Sequence, residues 1–141
     1  MDLGFQTENV VTMGIRPATV YDEARKRGEP AATAADVIVA YRQMIVRAHS
    51  HGLRVYAATI LPFEGFAAYS RPQNEADRQE VNRWIRAGGE LDGVIGFDAV
   101  ARDPARPSRL REAVDGGDHL HPSAVGYRIL ANAIDLSLFA R

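Results

Sequence analysis

Cysteine is absent from the sequence. That excludes disulfides, thiolate metal sites and cysteine nucleophiles. It leaves the compartment open, because cytosolic and secreted proteins both manage without cysteine. Lysine is nearly absent too. Of 17 basic residues only Lys26 is a lysine, and the arginines are scattered rather than clustered. Neither sign of charge prevails. The formal net charge is -1, so no global field favours nucleic acid, an anionic membrane or an acidic ligand. No apolar run approaches the ~18 residues that span a bilayer. Met1 to Val10 has no basic stretch followed by an apolar core, so no signal peptide is expected within these residues.

What is present describes an ordinary globular chain. Hydrophobic residues make up 46% of the 141 residues and charged residues 25%. A chain of this length is the usual size of one domain and buries roughly two thirds of its unfolded surface. We therefore expect a single domain over residues 1–141. The sequence contains neither an internal repeat nor a low-complexity tract.

Local signals set the element order. Thr33-Ala-Ala-Asp36 reads as a capping box with Asp in the Glu role. Val37, Ile38, Tyr41, Met44, Ile45 and Ala48 then recur at helical spacing, and Gly52 follows as a helix stop. Leu53 to Ile60 reads as a strand buried on both faces. Leu61 to Pro72 is a loop broken by Pro62, Gly65 and Pro72. Asn74 to Ala87 predicts a second helix with Val81, Trp84 and Ile85 on its apolar stripe, stopped by Gly88-Gly89. Gly93 to Phe97 predicts a second buried strand with Asp98 at its end. A loop over Asp103 to Pro107, a short helix over Ser108 to Val114 and a loop over Asp115 to Pro122 complete the middle. Ser123 caps a last helix expected to reach about Leu138. Upstream, Glu8 to Met13 suits a strand and Ala18 to Arg27 a short charged helix. Strands alternating with helices argue for a parallel sheet with helices on both faces and right-handed crossovers. Ligands of such sheets sit beyond the carboxyl ends of the strands. That directs attention to residues 14–20, 61–72 and 98–121.

The sharpest cluster in those loops is Asp118-His119-Leu120-His121-Pro122, followed by Gly126-Tyr127. A histidine works as a general base near neutral pH. A carboxylate three residues earlier fixes its tautomer and supports its charged form. Two plainer readings stand beside this one. The string also suits a helix-capping loop with solvated histidines. It also suits a zinc site built from His119, His121 and Asp118 with His49 or His51, although no second ligand spacing supports it.

Asp118-His119-Leu120-His121-Pro122 with Gly126-Tyr127 resembles the last sequence block of the SGNH/GDSL hydrolases, an Asp-x-x-His-Pro followed by Gly-Tyr. The preceding segments are similar in character and order: Tyr41-Arg42-Gln43 with Ala48-His49, Gly52-Leu53-Arg54-Val55, Thr59 to Gly65, Asn82 with Trp84-Ile85, and Gly93 to Asp98. The resemblance covers about residues 9–139. It implies an α/β, flavodoxin-like three-layer α/β/α fold with a parallel sheet, here N-terminally truncated. It implies His121 as catalytic base, Asp118 as its orienting acid, and carboxylic esters as substrates: acyl lipids, short-chain esters or acetylated sugars. It implies no metal and no organic cofactor.

The family's Gly-Asp-Ser nucleophile block is not found in these residues. Neither is the block that supplies an oxyanion donor from a glycine. Val10 to Ile15 resembles the strand and glycine of its Gly-x-Asn-Asp block, which places Gly14 and Arg16 in the oxyanion region with Arg16-Pro17 where Asn and Asp belong. Among Ser50, Ser70, Ser108, Ser123 and Ser137, only Ser70 falls in a loop after a strand on the correct side of the sheet. Phe63, Phe66 and Tyr69 suit either a substrate pocket or a cover for the open end of the core. Glu64 is a loop carboxylate that suits either the vicinity of His121 or plain solvent. Trp84 reads as core. In the family's sheet order the strand near Val10 would become an exposed apolar edge, so self-association or marginal stability is expected.

Overall fold

Thr33 opens the first helix of the described residues through the reciprocal bonds its sequence foretold. Its hydroxyl accepts from the Asp36 N–H at 3.3 Å, and Asp36 accepts from the Thr33 N–H at 2.7 Å. The computed structural model describes residues 32–139. Helix α1 runs Ala34–Ser50, strand β1 Tyr56–Ala58, helix α2 Pro72–Ala87 and strand β2 Gly93–Ile95. Helix α3 runs Phe97–Ala101 and helix α4 Ala124–Asn132, with a 3-10 turn over Leu136–Phe139. The strand expected near Val10, the helix over 18–27 and the exposed sheet edge lie outside the described residues.

The two strands are parallel, with Tyr56 opposite Gly93, Ala57 opposite Val94 and Ala58 opposite Ile95. Ala57 and Val94 share one face and join Ala34, Val37, Ile38 and Tyr41 of α1 and Val81, Trp84 and Ile85 of α2. The opposite face carries Tyr56, whose ring meets that of Phe139 at a tilt with centroids 4.9 Å apart and whose hydroxyl donates to the Leu138 carbonyl at 2.9 Å. A parallel sheet between helices on one side and the C-terminal segment on the other is the α/β arrangement expected. No helix of the described residues is long and apolar enough to cross a membrane.

Both strands are shorter than the apolar runs that foretell them, because side chains take over the backbone. Beyond Ala58, Thr59 still donates to Ile95 O at 3.0 Å. The next residue leaves the ladder: Ile60 N–H donates to Asn82 Oδ1 at 2.7 Å, and Asn82 Nδ2 donates to Ile60 O at 2.8 Å. At the other end Asp92 accepts from Val55 N–H at 2.7 Å. β2 stops because Asp98 N–H turns to the Thr59 hydroxyl at 3.0 Å and Phe97 begins α3. Asp98 itself is buried and ion-paired with Arg86.

Two further expectations need correction. Ser108–Val114 is a series of turns, not a helix. Its backbone bonds α3 instead, Arg111 N–H to Ala101 O at 2.9 Å and Asp103 N–H to Arg109 O at 2.8 Å, so Leu110 and Val114 enter a core with Ala101 and Leu130. The last helix ends at Asn132, six residues early. Asp135 accepts from the Ser137 N–H at 2.9 Å, a local bond that competes with helix continuation, and the chain turns to meet Tyr56.

Candidate functional site

Residues 102–123 form a folded loop closed by backbone bridges between Arg102 and Leu110 and between Asp115 and Pro122. Gly116 N–H donates to His121 O at 2.8 Å and Ser123 N–H to Val114 O at 2.7 Å. Ser123 then caps α4 by accepting the Gly126 N–H at 3.0 Å. Gly126 has no room for a side chain, since a Cβ there would come within 2.5 Å of Val114 O. The Gly of the motif's Gly-Tyr is thus a packing requirement where α4 crosses the base of the loop, whereas Tyr127 is exposed.

Inside this frame Asp118 holds His121. Its Oδ1 accepts the N–H groups of Leu120 at 3.0 Å and His121 at 2.8 Å. Its Oδ2 lies 2.6 Å from His121 Nδ1. The bond fixes the imidazole with Nδ1–H as donor and directs Nε2 away from the carboxylate. The His121 side chain remains 64% exposed, so that nitrogen is open to an incoming molecule. The bond from the His121 ring, with the two backbone donors, holds the Asp118 carboxyl far below the ordinary range.

A second pair, missed in the sequence reading, stands beside the first. Asp115 Oδ2 lies 2.5 Å from His119 Nδ1, and Oδ1 accepts from Gly117 N–H at 2.8 Å and His119 N–H at 3.0 Å. Burial raises the Asp115 carboxyl, but the bonds from Gly117 and His119 outweigh it and the net direction is down. The available signal was Asp115-Gly116-Gly117, a carboxylate before two glycines and four residues ahead of a histidine.

The depressed carboxyls set a pH dependence. Each favours folding when ionised. The contribution is complete above the unfolded carboxylate pKa of about 3.9 and is lost as pH falls through the lower folded value. The ¹³C resonance of the Asp118 carboxyl is expected to titrate with a midpoint below that of an exposed carboxylate, about 3.9. A midpoint at the ordinary carboxylate value would contradict the bonding described.

The loop after β1 meets the histidine loop directly. Leu120 is buried with Phe63 and Tyr69, and Phe66 packs against them. Phe63, Glu64 and Ser70 line one cleft of about 240 Å³, together with Arg71, Pro72, Glu75 and Ser108. Glu64 is half-buried and bonded to the loop that follows α3. It accepts from Arg106 at 2.8 Å and from the Ser108 hydroxyl. Ser108, and then the charges of Arg106 and Arg109, lower its carboxyl against the opposing effect of burial. Ser70 Oγ accepts from Gly65 N–H at 3.1 Å, so its bond is to backbone and not to a histidine. Trp84 is half-buried and stacks on Tyr41 at 6.0 Å, a core role. Gly14 and Arg16 lie outside the described residues.

The histidines do not converge on a common point. His49 is bonded to Asp92 at 2.8 Å, His119 to Asp115 and His121 to Asp118. Among the described residues no group of three or more His, Asp or Glu side chains is placed to hold a metal ion.

Comparison with curated proteins gives no match. The profile of the GDSL-like Lipase/Acylhydrolase family matches residues 12–129. That span runs from the segment around Gly14 through both strands to the Asp-x-x-His-Pro loop and most of α4. The chain therefore belongs to the GDSL-like lipase/acylhydrolase family.

Proposed function

We propose that the chain is a carboxylic-ester hydrolase domain in which Asp118 orients His121 as general base, and that these 141 residues alone are catalytically impaired. The carrying observation is the 2.6 Å bond from Asp118 to His121 Nδ1 beside an exposed imidazole. In the reaction of this chain alone, Nε2 takes a proton from the attacking water as its oxygen bonds the ester carbonyl carbon. The acyl carbon–oxygen bond then breaks, and the proton passes to the departing alkoxide. Asp118 stabilises the imidazolium formed between these steps. The cleft next to Phe63, which packs on Leu120, carries Glu64, Ser70, Arg71, Glu75 and Ser108 beside Phe63 and Pro72, groups able to hydrogen-bond a hydroxylated alcohol such as an acetylated sugar.

Impairment follows from the absence of a Gly-Asp-Ser block and from Ser70, whose oxygen accepts from Gly65 N–H and pairs with no histidine among the described residues. Losing the nucleophile from such a triad costs about 10⁶ in rate. The same two observations favour a second reading, a family member that binds its ligand without cleaving it.

Hydrolysis of p-nitrophenyl acetate and butyrate by the purified chain, beside His121→Ala, tests both. Slow turnover that falls to the buffer rate in His121→Ala is expected for the hydrolase reading, with water as the nucleophile. Equal rates in the two proteins would remove the base role and leave the binding reading. A fluorophosphonate probe for activated serines is expected to leave the chain unlabelled. Labelling that disappears in His121→Ala would overturn the impairment and direct attention to Ser70.

A further inference from the structure

His119 is the only non-glycine residue with positive φ among the described residues, at +65°. A residue with a side chain keeps that conformation only where its surroundings hold it there. Here the restraint has two sides. On one, the Asp115 carboxylate accepts both the His119 N–H and its ring Nδ1. On the other, the ring packs against Gly65, where a Cβ would come within 2.8 Å of both Cγ and Cδ2. Gly65 has φ +107 and belongs to the loop that carries Phe63, Glu64 and Ser70.

The left-handed turn at His119 matters for the residues around it. Asp118 can accept the N–H groups of Leu120 and His121 only while the chain reverses at residue 119. The same reversal brings the His121 ring back to Asp118 Oδ2. An exposed ion pair has little strength of its own, so the orientation of His121 depends on the backbone that presents it. Leu120 supplies one anchor through Phe63 and Tyr69. The bridge from Gly116 to His121 closes the loop on itself, but against the cleft-bearing loop Leu120 alone would leave it free to pivot, and the His119 ring on Gly65 is the second point that removes this freedom.

We infer that Asp115 and His119 are a positioning pair: the His119 ring, gripped by Asp115 and seated on Gly65, fixes the turn that aims His121 and joins it to the cleft-bearing loop. Its functional meaning rests on the reading of His121 as the base. The geometry it asserts can be tested without that reading.

Two substitutions separate ring from backbone. His119→Gly removes the ring while suiting the left-handed backbone. Asp115→Asn keeps one carbonyl for the Gly117 and His119 N–H groups but replaces the oxygen that faces the ring. The readout is the tautomer of the His121 imidazole, taken from ¹⁵N spectra of the labelled full chain. His49, bonded to Asp92, is the internal reference, and urea unfolding checks the fold. In the parent chain His121 should be mainly the Nδ1–H form. Both variants should lower its Nδ1–H to Nε2–H ratio severalfold, with His49 unchanged and unfolding still cooperative. Folded variants with the parent ratio at His121 would overturn the inference, showing Leu120 to be a sufficient anchor. A change in His119→Gly alone would overturn the part given to Asp115. If Asp115→Asn does not fold, His119→Gly decides. Should the ratio respond while His121→Ala leaves ester hydrolysis unaltered, the positioning stands and the base role falls.

Discussion

Asn82→Ala is expected to lower the stability of the fold by about 2–4 kcal/mol, the sum of a lost buried bond pair and a donor left unsatisfied. Asn82 is fully buried on α2, and its amide replaces a strand partner for Ile60 by both accepting and donating. The two halves of that contact are unequal. Ile60 O keeps a second donor in Arg78 Nη1 at 3.0 Å, itself held by Glu75 at 2.6 and 2.7 Å. Ile60 N–H has no such reserve. Urea unfolding should show the midpoint fall with an unchanged slope, the sign of lost stability without a change in compactness. The loop from Leu61 to Arg71 begins at this bond, so amide exchange there should rise most. A loss below about 1 kcal/mol would mean that water replaces the amide, a burial inconsistent with the typical cost of an orphaned donor.

Gly116→Ala is expected to disorder the histidine loop and to lower any His121-dependent hydrolysis by about 10²-fold, the penalty typical of a reacting group displaced by roughly 1 Å. The Cβ would meet His121 O at 2.6 Å, the same carbonyl to which Gly116 N–H donates. The substitution cannot relax around a flexible side chain, because both contacts are backbone. Steric overpacking of this kind costs about 1–3 kcal/mol. Gly117→Ala is the useful contrast. No heavy atom lies within 4 Å of a Cβ there, although its φ of +103 makes the change a strain of backbone rather than of contact. If Gly116→Ala melts like the parent and keeps its His121 resonances, the bridge between Asp115 and Pro122 is looser than described.

Part of this protein was readable from local chemistry. The Thr33 capping box, the left-handed Gly52 and Gly88, and the Ser123 cap were legible because each depends on residues within one turn of chain. The apolar stripes of α1 and α2 and the parallel pairing of two short runs followed from periodicity and the alternation of elements. The closeness of Asp118 to His121 was likewise implied by a spacing of three in a turn.

What the sequence could not settle was decided by bonds between distant segments. Whether LRVYAATI pairs over eight residues or three depends on Asn82 and Asp92, which lie 22 and 37 residues away from the positions they bond. Whether Phe97 ends a strand or begins a helix depends on Thr59. The turns over 108–114 follow from a partner on α3, and the path of the chain after α4 from Tyr56. Glu64 found Arg106 and Ser108 from 42 and 44 residues away. The same holds for Asp115 and His119: composition places a carboxylate near a histidine, but only the seat on Gly65 gives that pair its place beside Leu120 and the cleft. By itself the sequence determined α1, most of α2, the caps at Thr33 and Ser123 and the acid–histidine spacing, because those are contacts of a chain with its own next turn. Tertiary structure alone decided where each strand stops and which loops meet, because those depend on polar side chains that satisfy the backbone of segments far away in sequence.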